Sequence, residues 1–162
     1  GLVMTPAPWF PLVDANVAVG RLADTAADRV RDGVRLSVTT KLRPLRPLEL
    51  ELQTSQAWLE RDGRRTYGES ASQLLAVWHF DGRQTLRAIV QRTKLDRRVE
   101  PGVAAYQGAG NNATLTYTWR RSAGTVVYVG ASRSGDGKPT SQRASEAFVK
   151  LQFDTDDWRA LL

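Results

Sequence analysis

The 162-residue sequence has no cysteine and one histidine, which excludes disulfides, thiol chemistry and any metal site built from Cys or from several His. Nowhere do 18 apolar residues run together, so no segment can cross a bilayer as a helix. Helical periodicity is missing too: the best window, Ala23 to Val34, has too few large apolar residues at helical spacing to bury a face. Acidic groups are the minority, 17 against 23 Lys and Arg, for a formal charge of +6. What is present is an apolar fraction of 41%, too high for wholesale disorder. The lack of long apolar runs leaves one kind of membrane protein open, because a barrel wall alternates apolar and polar residues.

Period-two alternation recurs along the chain. Within 33–42, Val34, Leu36, Val38, Thr40 and Leu42 oppose Arg35, Ser37, Thr39 and Lys41. Within 48–59, Leu48, Leu50, Leu52 and Trp58 oppose Glu49, Glu51, Gln53 and Ser55. Leu115, Tyr117 and Trp119 oppose Thr114, Thr116, Thr118 and Arg120, and Val149, Leu151 and Phe153 oppose Lys150 and Gln152. Less regular runs at 72–80, 85–95 and 125–133, and a weak one at 16–23, bring the expected total to eight. All seven prolines fall outside these runs, as ladder bonding requires.

Short links at 43–47, 81–84 and 121–124 are expected to alternate with long ones near 24–32, 60–71, 96–112 and 134–145. Asp81-Gly82 is a hairpin signal. Strict alternation of this kind is the layout of an up-and-down barrel in an outer membrane, with its short turns on the periplasmic side. The expected fold is therefore all-β: an antiparallel up-and-down transmembrane β-barrel or partial barrel of about eight strands. The proline-bearing residues 1–14, uncharged as far as Val13, read as an extended lead-in rather than a signal peptide, which points to a mature chain or an excised segment. Residues 15–153 read as barrel and 154–162 as a C-terminal tail. Trp78, Phe80, Tyr117, Trp119 and Phe153 cluster at strand ends beside the short turns, as an aromatic girdle would, with Trp58 at the opposite rim.

Several segments carry a resemblance: Arg31 to Ser37, Gln73 to Phe80, Leu86 to Ile89, Leu115 to Arg120 and Ser145 to Leu151. They resemble the C-terminal end of large bacterial proteins of unassigned function, in which a sandwich similar to a family 9 carbohydrate-binding module precedes an outer-membrane β-barrel. The resemblance covers residues 31–153, and it rests on strand patterns rather than catalytic signatures. It implies a location in the bacterial outer membrane, a link to carbohydrate binding or uptake, and a parent barrel of more than eight strands. If eight strands closed, the run near 16–23 would pair with 147–153. A segment of a larger barrel instead implies an open or poorly closed curved sheet.

Candidate chemistry is sparse. Glu49 and Glu51 share a strand face, as the paired carboxylates of a glycosidase do, but a polar network inside the barrel with Lys41, His79, Arg87 and Arg120 explains them better. His79 lacks a serine at a nucleophile elbow, so a Ser-His-acid hydrolase is not expected. The glycine-rich 130–137 segment fails as a phosphate loop because Pro139 follows Lys138. Basic residues border the long links, Arg61, Arg64, Arg65, Arg97 and Arg98 foremost, with Arg92, Lys94, Arg133, Lys138 and Arg143; they would meet lipid phosphates, including those of lipopolysaccharide, or form a merely solvated basic rim. Nucleic acid is not expected, since the aromatics sit on strand faces with Leu rather than among the arginines. The sequence thus points to an anchoring or pore-wall module without catalysis, cofactor or metal. The other reading is a soluble calycin-like barrel that turns its apolar faces inward around an apolar ligand.

Overall fold

The computed structural model describes residues 1–24, 27–122, 124–136 and 143–153. The tail expected at 154–162 lies outside the described residues. The strands are β1 (Leu2–Met4), β2 (Leu12–Asp24), β3 (Arg29–Leu45), β4 (Leu48–Arg61), β5 (Arg64–His79), β6 (Gln84–Arg97), β7 (Tyr106–Arg120), β8 (Val126–Gly135) and β9 (Arg143–Gln152). They form one antiparallel sheet in sequence order, and no helix occurs among the described residues. The sheet is open: β1 and β9 are its edges, so the 16–23 run does not pair with β9. This architecture fits a β-barrel or partial barrel.

Three expectations change. The lead-in is not merely extended, because Leu2–Met4 pairs with Val13–Ala15 and makes a ninth strand. The link expected at 60–71 is a two-residue hairpin, Asp62-Gly63, and those at 24–32 and 96–112 are mostly strand. Strict alternation of long and short links is therefore not kept. The physical reason is that the strands continue beyond their apolar stretch with polar residues on both faces, and that composition reads as loop. Pro44 lies within β3 after all, at the register shift between Leu42 and Leu45 where a missing N–H is tolerated.

Residues directly opposite each other share a face of the sheet. One row runs Leu50, Ala76, Ala88, Leu115, Ala131 and Ala147 across β4 to β9. The neighbouring rows on that face hold Leu48, Trp78, Leu86, Tyr117, Val129 and Val149, and Leu52, Leu74, Val90 and Ala113. The opposite face carries Gln53, Gln73, Gln91 and Asn112 in one row, with Gln91 Nε2 donating to Gln73 Oε1 at 2.5 Å. Little is buried between layers, because there is one layer. Among the described residues only Ala57, Leu59 and Val126 are buried apolar side chains. Leu115 is 49% exposed and Val149 67%.

The Asp62-Gly63 turn has φ of 51° and 70°, the left-handed pair that a two-residue type I′ hairpin needs. Gly63→Val is expected to destabilise the fold by about 1–2 kcal/mol through left-handed strain. Denaturant midpoints of the refolded chain check this, and an unchanged midpoint would show that the turn does not set the β4–β5 register.

Candidate functional site

The polar face is concave, and an ion cluster shows why. Asp24 ends β2, Arg31 lies in β3, Arg97 ends β6, and Glu100 follows β6. Arg97 Nη2 donates to Asp24 Oδ1 at 2.9 Å and Nη1 to Oδ2 at 3.2 Å. Strands β3, β4 and β5 stand between these two residues. In a flat sheet that gap would be about 19 Å, beyond the reach of one Arg and one Asp side chain. The sheet must curl toward this face for the pair to form.

Arg31 extends the clasp. Its guanidinium donates to both carboxylate oxygens of Glu100, with Nη1–Oε1 at 2.8 Å, and Nη1 also reaches Thr66 Oγ1 at 3.4 Å. Its Nε lies 3.2 Å from Asp24 Oδ2 but lacks the angle for a hydrogen bond. Glu100 is held in place by a tight turn at Pro101-Gly102, bridged from Glu100 to Val103, with Gly102 at φ 79°. The Arg97 guanidinium also covers the Tyr67 ring, 4.7 Å from its centroid, and Tyr67 donates its hydroxyl proton to Glu69 at 2.5 Å.

The cluster stands beyond the apolar rows, near the strand ends opposite the short turns. Hydrogen bonding from Arg31 holds the Glu100 carboxyl below the usual carboxylate range. Burial opposes ionisation of Asp24, but the hydrogen bond and charge of Arg97 outweigh it and hold that carboxyl low as well. Burial, then the Glu69 carboxylate, push the Tyr67 phenol up to about 12.

Further down the concave face the expected polar network is partly assembled. Lys41 Nζ lies 3.2 Å from Glu51, and His79 Nε2 lies 3.9 Å from Glu49. Arg43, which sequence reasoning missed, holds Glu49 at 3.0 Å. Arg87 and Arg120 share the face but stand outside these pairs. Both carboxylates once considered as an acid–base pair are thus ion-paired to cations.

On the convex face Trp78 and Tyr117 fall in one row, with Trp119 one position below. Phe80 meets Tyr117 edge-on, ring centroids 6.5 Å apart, and Tyr117 donates its hydroxyl proton to Gln84 Oε1 at 2.6 Å. Phe153 follows β9 at the same end and is exposed. Of the five arginines expected at a lipid-phosphate rim, Arg97 is withdrawn: its side chain is only 11% exposed and is committed to Asp24. Arg61, Arg64, Arg65 and Arg98 do line one concavity, together with Asp62 and Glu100. Within it Arg61 pairs with Asp62 at 3.4 Å. Arg65 lies over Trp58, 5.6 Å from the ring centroid, in space that only a glycine at 68 leaves open.

The clasp carries a stability prediction with a definite sign. Both carboxylates titrate lower in the folded chain than in the unfolded one. Their contribution is therefore full above the ordinary carboxylate range and is lost as pH falls through the lowered folded values. Asp24→Asn is expected to cost about 3–5 kcal/mol because it leaves the nearly buried Arg97 guanidinium without a carboxylate and Arg31 with Glu100 alone, and Glu100→Gln to cost less because Asp24 still faces both arginines. Unfolding curves across an acid series check both, and equal costs for the two substitutions would reject the shared role of Asp24. No protein-family model, curated protein or solved structure matches this chain, so its function has to be argued from this geometry.

Proposed function

We propose that this chain forms part of the wall of a bacterial outer-membrane β-barrel, acting as an anchoring or pore-lining module rather than an enzyme. The observation that carries the reading is the placement of the exposed apolar residues. Val17, Val19, Leu52, Leu74, Val90, Leu115, Val129, Val149 and Leu151 are all exposed and all lie on the face away from the clasp. A water-soluble fold of this length buries most of its large apolar side chains, and this one buries almost none. Hydrocarbon on the convex face and water on the concave one resolve the mismatch.

The aromatics Trp78, Tyr117 and Trp119, in two adjacent rows at one end of the apolar rows, suit a membrane–water boundary. The amide row and the ion pairs on the concave face suit a water-filled lumen. A soluble calycin-like barrel would need Leu50 and Leu115 turned inward, yet their row is on the convex side. The free backbone of β2 beyond Ala15 and the outer edge of β9 cannot face lipid, where each unpaired group costs several kcal/mol. The proposal therefore includes further strands on these edges, in keeping with the larger parent barrel that the resemblance to carbohydrate-binding-module-linked proteins implies.

The test is insertion. The chain, whose two edges await further strands, is expected to require detergent and to float with phosphatidylcholine vesicles through its apolar face, without the heat-modifiable band of a closed barrel. Leu115→Arg should weaken insertion by about 2–4 kcal/mol, while Gln91→Arg on the concave face should not. A monodisperse, folded chain in buffer without detergent would overturn the reading.

A further inference from the structure

We propose that the convex face of β6 to β9 binds the phosphate groups of a membrane lipid through Arg92, Arg133 and Arg143, with Lys94 at its upper margin. This rests on the membrane reading above and names, within the basic rim, a site separate from the Arg61, Arg64, Arg65 and Arg98 concavity. The register places the groups together. Arg92 lies opposite Asn111, Asn111 opposite Gly135, and Gly135 opposite Arg143, so both arginines occupy one row across β6 to β9. Arg133 sits one position below, opposite Ala113 and Ser145, and is the diagonal neighbour of Arg143. Its row is the one that holds Leu52, Leu74 and Val90. The cations therefore stand where the apolar rows end, at the depth of lipid head groups.

Two properties set this patch apart from the Arg61, Arg64, Arg65 and Arg98 concavity, which Asp62 and Glu100 also line: no acid lies among its cations, and an apolar groove lies beneath it. All four cations are exposed, and among the described residues none has an ion-pair partner. On this face of β6 to β9 no acidic residue occurs from the aromatic row up to Lys94; Asp96, one position higher, accepts a hydrogen bond from Gln107. Glu146 lies on the other face, opposite Ser132. Like charges at diagonal spacing repel, and an anion between them relieves that repulsion. Below the cations lies a shallow, mainly apolar depression lined in part by Ala88, Val90, Ala113, Leu115, Ala131 and Arg133. Small side chains there leave room for an acyl chain, and Arg133 closes its upper end. Guanidiniums above and an apolar groove below match a phosphorylated lipid, and Asn111 supplies an amide between them. A free phosphate would use only the upper half.

The chain in detergent is mixed with a bisphosphorylated glucosamine-based lipid or with its dephosphorylated form, and retained lipid is read by native mass spectrometry. Flotation with undoped phosphatidylcholine vesicles is run alongside. The phosphorylated form should be retained in strong preference. Arg92→Gln, Arg133→Gln and Arg143→Gln together should weaken retention by about a hundredfold, near fivefold for each charge removed. The matched control, Arg61→Gln with Arg64→Gln and Arg98→Gln, should retain the lipid. Equal retention by the two triple variants would overturn the site, as would equal binding of the dephosphorylated lipid or displacement by inorganic phosphate or short RNA. If the unmodified chain fails to float with neutral vesicles, the membrane reading falls and this inference with it. If it floats but shows no preference for phosphate, only the inference falls.

Discussion

Everything in this structure depends on the curl that the Asp24–Arg97 pair requires. A single sheet with one apolar and one polar face has no core to fix its shape. The four charges of Asp24, Arg31, Arg97 and Glu100 tie the ends of non-adjacent strands across the concave side. Buried ion pairs of this kind add little net stability, since desolvation offsets much of the Coulomb gain. What they add is geometry: only one curvature satisfies all four groups, and any flatter sheet strands a buried charge. The Tyr67 ring beneath Arg97 and the Thr66 hydroxyl beside Arg31 complete the packing at that end.

Curvature then decides which face lies inside. With the charged face inside the curl, the uninterrupted rows of Leu50, Leu115, Leu52, Leu74, Val90, Val129 and Val149 lie on the outside, while Leu59, Leu75, Val77, Leu95 and Val126 share the concave face with the charges. The inside-out distribution follows from the alternation in each strand and from the direction of the bend. The lower concave face repeats the logic more loosely, with exposed pairs such as Lys41–Glu51 and Arg43–Glu49. Such exposed pairs contribute little energy and serve mainly to keep charge balanced along the wall.

The sequence made the strand core and its facing legible. Val34 to Leu42, Leu48 to Leu52 and Ala113 to Trp119 alternate without interruption, and the register places them as their alternation implies. The clasp was not legible, because its members lie in segments whose polarity resembles loop. Yet Arg31 has the same parity as Arg35 and Lys41, and Arg97 the same parity as Arg87 and Gln91. Carrying the alternation through the polar ends would have put both on the inner face. No parity argument could have supplied Glu100, which depends on a turn, or the pairing of β2 with β6 residues, which depends on curvature. The strand at Leu2–Met4 was hidden by prolines that flank it rather than interrupt it. The arginine rim was half legible: proximity in sequence predicted the cluster, but not which guanidiniums were already engaged.

Each strand of this sheet bonds only to its neighbours in sequence, and the longest described link between consecutive paired strands, from Arg98 to Ala105, is short. Every pairing step therefore closes a small loop at low entropic cost, and no step waits for a distant segment. The sheet can grow by sequential zippering, hairpin after hairpin, with its last strand always exposed as a template for the next. At every stage the growing sheet carries two open edges, the fixed one at β1 and β2 and the moving one at its latest strand.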